Sequence, residues 1–507
     1  MIVPFLFTLD EYSNEYPTHL WIFYKFMDFA KKYGFPVIAQ EKFFKVYENH
    51  GAREEYNRKK FDYEIPSEKQ IEENYKYCIT NVEEHEILSN IKISNDKWIF
   101  LLKEENEILE KIIDKKLKLI IKENGKIDAV ITWIWLPSLE KVCKNNNIRL
   151  IQYELSTIRK DTFRTTLGYF QFHNKYESNF VKSDYDIFKN EEKLIFDREE
   201  LLSLFLNTNL IDNIKYLYKI ANYKIGYALG MDKDKFELAF TKLNNDEIFS
   251  KIKEKYSNED VLIRQHPASK LDVAKTGFVI DNSSSTAEWI SNCNKIICNI
   301  SNVAYEAMLY GRDVINVNDV LPTAFDDYSN LNYFDEKKIG LQKLNFLTFY
   351  CYCPYELMFD KDYIYYRLNN PSIIDIYNYH LKYILSNSNM DFDKIKQIKQ
   401  IKRLDYILKN VHGFNKNEIQ KIKKYSTSYL YDKMETTIKN QKREISKLNS
   451  QIEMMNIELN ASNETINSIL NSVSWKLTAP LRQIMNTIRN IKNKLIKKIK
   501  TMKESKK

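Results

Sequence analysis

Two short apolar runs, Ile127–Trp135 and Ile148–Tyr153, flank a segment, Pro137–Lys144, that opens with proline. Each run has the length and composition of a buried strand. Proline suits the first helical turn, where its missing N–H costs nothing. Strand, helix and second apolar strand form a βαβ unit, and parallel strands joined by a helix commit this part of the chain to an α/β fold.

The same alternation opens the chain and restarts later. Ile2–Leu9 reads as a strand, Leu20–Tyr33 as an aromatic-rich helix, and Gly34 as its stop before Phe35–Ile38. From Tyr223 the pattern begins again. Strands are expected at Tyr223–Leu229, Asp260–Arg264, Phe278–Ile280, Lys295–Cys298 and Asp313–Val317, with helices at Asp246–Tyr256 and Ser301–Tyr310. The expectation is α/β: two Rossmann-like domains, residues 1–205 and 206–385, facing a cleft. A helical connector is expected over 386–430, with the helical stretch 370–428 returning across the first domain. The chain has only 10 glycines, so each is expected to have a backbone reason for its place.

Farther on, apolar residues fall at Met434, Ile438, Ile445, Leu448, Ile452, Met455, Leu459, Ile466, Ile469 and Val473. With Gln441 and Ser462 as polar members, the steps alternate four and three, which predicts a coiled coil over 431–473 and self-association or a coiled-coil partner. The tail, 474–507, places Ile484, Ile488, Ile491, Leu495, Ile499 and Met502 on one helical face among lysines and arginines. That pattern suits an anionic membrane surface; a solvated charged end or an RNA-binding tail are the other readings. From Arg482 onward ten Lys/Arg and one Glu give +9, against +8 for the whole chain, so the preceding residues together carry −1. A near-neutral body argues against nucleic acid as a partner.

The six cysteines contain no CxxC pair and read as buried free thiols, with Cys351-Tyr-Cys353 a weak zinc alternative. The first residues read as a strand rather than a signal peptide, and no run of about 20 apolar residues is present. The expected location is cytoplasmic, peripheral to the inner face of the cytoplasmic membrane.

In doubly wound domains ligands bind beyond the carboxyl ends of parallel strands. Three segments lie there. Glu154, with Arg159 close behind, follows one strand. The carboxylate could deprotonate a hydroxyl and the arginine could orient an anionic substrate, or the two could form a surface ion pair. Arg264 and His266 precede Pro267, which restricts the histidine; it could act on a departing phosphate or be structural. Ser301 and Asn302 are good N-caps for a helix carrying Glu306, which makes an anion site or ordinary capping. Asp232-Lys-Asp234 has the form of a metal-binding DxD, though acids are common in polar loops. No GxGxxG, P-loop or HExxH occurs.

Arg264-Gln-His-Pro267, followed by Ser301-Asn302 and Glu306-Ala-Met-Leu-Tyr-Gly311, resembles GT-B glycosyltransferases of bacterial surface-polysaccharide synthesis. It is similar to the capsule-type Kdo transferases and the HP-motif bacterial sialyltransferases. The resemblance implies that residues 1–205 take the acceptor and 206–385 a nucleotide sugar, CMP-linked in those families. His266 would assist the leaving phosphate, Ser301 and Asn302 bind phosphate, Glu306 reach the ribose and Arg264 help hold the donor. It implies no metal and no cofactor beyond the donor. The acid–acid–glycine motif matches poorly: Leu155 and Ser156 stand where the second acid and the glycine would be, and Glu154 is the carboxylate left to act as base. That departure leaves open a non-catalytic scaffold of a polysaccharide assembly complex. The segment Trp475-Lys-Leu-Thr-Ala-Pro-Leu-Arg482 also resembles one found after coiled coils at the ends of surface-polysaccharide glycosyltransferases. The implied function is sugar transfer to a growing capsular or lipooligosaccharide glycan.

Overall fold

The computed structural model describes residues 1–8, 17, 19–45, 57–92, 96–160, 163, 165–191, 193, 195–205, 216–217, 219–230, 235–241, 243–266, 269, 271–317, 340–387, 451–453, 455–456, 460–468, 472 and 476–504. The chain divides into two compact units, Met1–Ser426 and Thr427–Lys507.

The first unit holds two sheets. The N-terminal sheet contains β1 (Ile2–Leu6), β2 (Ile38–Ala39), β3 (Ala129–Thr132), β4 (Arg149–Leu155), β5 (Leu167–Gln171) and β11 (Tyr352–Pro354). Their order is β11-β5-β4-β3-β1-β2. β1 and β3 are buried along their whole length, as strands covered on both faces must be. The helix Leu20–Tyr33 buries Phe23, Phe26 and Met27 and stops at Gly34, whose φ of 69° is the left-handed cap that glycine takes without strain. Pro137 opens the helix Pro137–Asn145 that joins β3 to β4. β3 and β4 pair in parallel, as the βαβ unit requires, while the sheet as a whole is mixed, because β5 runs antiparallel to both β4 and β11.

The second sheet contains β6 (Tyr223–Leu229), β7 (Val261–Gln265), β8 (Val279–Ile280), β9 (Cys293–Cys298) and β10 (Asp313–Asn316) in the order β10-β9-β6-β7-β8. All its pairings are parallel, so every carboxyl end lies on one edge. Central β6 contains Gly226, and the reason there is space: a Cβ would stand 2.7 Å from Cys293 Sγ and 2.8 Å from Ile296 Cδ1.

After residue 340 the chain leaves this sheet. A π-helical turn, Leu347–Cys351, leads into β11, which joins the N-terminal sheet through Tyr352↔Tyr169. The return therefore starts well before residue 370, and the second sheet's own segment ends before the expected limit at 385. Helices Tyr355–Met358, Lys361–Leu368 and Ile373–Asn387 follow. All six cysteines are buried, and among the described residues no cluster of three metal-ligating side chains forms. The connector expected over 386–430 lies outside the described residues from 388 onward.

In the second unit the seam residues Ile452, Met455 and Ile466 are exposed on helical backbone. The seam residues Met434, Ile438, Gln441, Ile445, Leu448, Leu459, Ile469 and Val473 lie outside the described residues. The helix Ala479–Glu504 exposes Leu481, Ile484, Met485, Ile488 and Ile491, with Arg489, Lys492 and Lys494 also exposed. Among the described residues no helix is long and apolar enough to cross a membrane.

Candidate active site between the two sheets

The two sheets of the first unit meet along a set of contacts that starts at Glu154. On β4, Gln152 and Glu154 project from one face while Ile151, Tyr153 and Leu155 project from the other, as strand alternation requires. Glu154 thus reaches its surroundings from a face of β4, opposite Tyr169 of β5, and not from a loop beyond the strand end. Its Oε2 lies 3.3 Å from Lys175 Nζ, and its Oε1 accepts from the Leu155 N–H at 2.8 Å. Burial disfavours the Lys175 ammonium, but Glu154 and Tyr176 outweigh it and hold the group above the usual lysine range. The Lys175 backbone N–H donates to Gln152 Oε1 at 2.7 Å, so the segment is fixed at two points.

Lys175 continues into Tyr176, whose ring stacks on Phe240 (4.4 Å, 11°) and Phe236 (5.6 Å, 25°). Both phenylalanines belong to the helix Lys235–Phe240, which follows β6 of the second sheet. The same helix sets Phe236 edge-on to Trp98 and pairs Lys235 with Asp96. A second bridge lies at the carboxyl edge of β9. There the Asn302 side-chain amide donates to the Leu155 carbonyl oxygen at 3.3 Å. The Ser301–Glu306 segment and the Glu154 strand therefore meet across the domains.

Several of the expected site residues are placed differently from the sequence expectation. The helix begins at Val303 and has seven residues, Asn302 makes no side-chain cap, and the Ser301 hydroxyl accepts from the Val303 N–H at 3.2 Å. Glu306 does not project to the surface. It is buried, and desolvation raises its carboxyl to about 7 against the opposing pull of Arg264. Arg264 is held by Asp281 at 2.5 Å. Asp281 opens a loop that the sequence reading passed over, and its Oδ1 also accepts from the Ser283 hydroxyl and N–H. His266 is exposed just past β7, its carbonyl accepting from the Ser269 N–H. One strand separates β7 from β9, so the two strands are roughly 9.5 Å apart. Arg159 is exposed and donates to the Ser156 carbonyl at 2.9 Å; it does not pair with Glu154. Pro267, Asp232 and Asp234 lie outside the described residues.

Two groups near Glu154 were missed. Lys175 stands 21 residues from its partner, and nothing in local spacing marks the pair. His173, stacked on Phe180 at 4.9 Å, has a buried Nε2 without a hydrogen-bond partner, and burial lowers its imidazole to about 4.

Residues 5–177, the region that contains Glu154, Arg159 and Lys175, match the glycosyltransferase 99 family N-terminal domain. The chain is a glycosyltransferase. No curated protein matches it. Among solved structures it is similar to two chains of Thermosulfurimonas dismutans KpsC. The beta Kdo 2,7 transferase is 15% identical with a TM-score of 0.34, over 45% of this chain and 78% of that one. The beta Kdo 2,4 transferase is 11% identical with a TM-score of 0.28, over 44% and 79%. A Methanocaldococcus jannaschii UDP-GlcNAc 2-epimerase is 11% identical with a TM-score of 0.23, over 68% and 89%. At these values no residue's role in the transferase follows from the neighbours.

Proposed function

We propose that this glycosyltransferase moves a sugar from a nucleotide-linked donor, CMP-linked by the sequence resemblance, to a growing capsular or lipooligosaccharide glycan at the inner face of the cytoplasmic membrane. One observation carries the reading most: Asn302 bonds to Leu155, which brings the segment after β9 against the strand bearing Glu154. In this scheme Glu154 takes the proton of an acceptor hydroxyl. The acceptor oxygen bonds to the anomeric carbon as the bond to the donor phosphate breaks, and the nucleotide leaves with the electron pair. Lys175 fixes the carboxylate's position. His266 and the polar segment Ser301–Asn302 offset the charge on the departing phosphate, in the manner of preorganised electrostatic stabilisation.

Thermal shifts of the full chain with CMP, UDP and GDP test the donor half. A nucleotide at 100 times its dissociation constant adds about 2.7 kcal/mol to the folded state. We expect one base class to raise the melting temperature and Ser301→Ala or His266→Ala to reduce the rise. A well-folded sample that responds to none of the three would defeat the reading.

The basic helix Ala479–Glu504 is proposed to bind the anionic leaflet, with each basic side chain near the surface contributing about 1 kcal/mol. Its neighbour, the heptad segment 431–473, is proposed to pair as a coiled coil with a second copy or a partner. Truncation after residue 473 is expected to move the transferase from the membrane fraction to the supernatant. Unchanged fractionation would remove the tail from the scheme.

A further inference from the structure

The Tyr176 ring, stacked on the second domain, also touches the partner of Glu154. Lys175 Nζ stands 4.8 Å from the centre of that ring, within cation–π range, and 3.3 Å from Glu154 Oε2. The ammonium is therefore held between a carboxylate and an aromatic ring. The backbone of this segment is set by the first domain: the Lys175 N–H bonds Gln152, and the Tyr176 N–H donates to Asn174 Oδ1 at 3.2 Å. The Tyr176 ring is set by the second. Phe236 and Phe240, one helical turn apart, supply its platform.

The helix that carries these phenylalanines is tied to the end of β9. Its Glu237 is buried and accepts from the side-chain amide of Asn299, the first residue after that strand. Three residues on, Asn302 donates to the carbonyl of Leu155, the neighbour of Glu154. Two routes thus leave residues 299–302 and end at Glu154. One runs through the backbone of β4. The other runs through Glu237, the two phenylalanines, Tyr176 and Lys175, and it crosses between the domains as stacked rings. Such a contact is short-ranged, since aromatic pairs hold only with ring centres within about 7 Å. A helix that withdraws farther than this lets go of the ring, and the ring of the ammonium.

We propose that Tyr176 is a positioning residue for the transfer: a latch that holds Lys175, and through it Glu154, in place only while the helix Lys235–Phe240 of the second domain is docked. The catalytic meaning rests on the reading of Glu154 as the base; the mechanical link does not.

Chemical labelling of the full chain, read by mass spectrometry, tests it, with acetic anhydride for lysines and carbodiimide with glycinamide for carboxylates. Lys116 and Glu83, paired at 3.0 Å elsewhere in the first domain, are the internal reference that separates local release from unfolding. Relative to them, labelling of Lys175 and Glu154 should rise about tenfold in Tyr176→Ala, and equally in Phe240→Ala, a change made in the other domain. Tyr176→Phe keeps the stacked ring and should stay within about threefold of the parent. Unchanged ratios in Phe240→Ala overturn the latch, as does a Tyr176→Phe variant as reactive as Tyr176→Ala. A rise at Lys175 without one at Glu154 overturns it too. Release of both groups, together with full transfer by Glu154→Gln, keeps the mechanical link and removes the base.

Discussion

The Lys175→Met variant is expected to be about 3 kcal/mol less stable than the parent, with most of that loss recovered in the Glu154→Leu/Lys175→Met double variant. The Lys175 side chain is 10% exposed and that of Glu154 26%. Removing the ammonium strands a carboxylate in a poorly solvated place, whereas removing both charges strands nothing. Breaking a buried pair costs about 3–5 kcal/mol, and the residual exposure of Glu154 puts this one at the low end. Urea midpoints with unchanged slopes provide the comparison. Activity separates the roles. Variants without the Glu154 carboxylate should lose about 10²–10⁴-fold in transfer if it is the base. Lys175→Met, which keeps the carboxylate and loses only its positioning partner, should lose less. A double variant no more stable than Lys175→Met would mean that the two charges do not depend on each other.

The importance of that pair could not be read along the chain, and the reason is topological. Short-range patterns were legible: Leu20–Tyr33 and Tyr223–Leu229 form the elements expected, because apolar periodicity and a glycine stop are local signals. The antiparallel β5 and the late β11 were not. Leu167–Gln171 and Tyr352–Pro354 are short apolar segments whose direction is decided only by partners far away in sequence. Once β5 runs back along β4, residues 172–176 fold over the face of β4 and bring Lys175 to Glu154. Gly226 teaches the same lesson from packing: its small size makes room for Cys293 and Ile296 on a neighbouring strand, which no turn rule reveals.

For Glu306 a sequence signal existed and was overlooked. Ala304, Tyr305, Ala307, Met308 and Leu309 surround it, and a short helix apolar on every side is a buried helix. A carboxyl placed there is expected to make stability depend on pH. Its folded value of about 7 stands above the ordinary 4.5, because burial penalises the charge more than Arg264 supports it. Between those values the folded state keeps a proton that the unfolded state has released. Stability therefore falls as pH rises from about 4.5 to 7, and the loss is complete above that window. The difference corresponds to about 3 kcal/mol. Glu306→Gln, neutral at every pH, should be more stable than the parent by about that amount at pH 8 and indistinguishable from it at pH 4. Equal stabilities across the range would show that water or a rearranged Arg264 solvates the carboxylate. The same titration tests the ribose role: a Glu306 that accepts a nucleotide hydroxyl must bind better when ionised, so nucleotide affinity would rise between pH 6 and pH 8 in the parent and stay flat in Glu306→Gln. A flat profile in both would assign Glu306 to the packing behind the site and leave the donor to Ser301, Asn302 and His266.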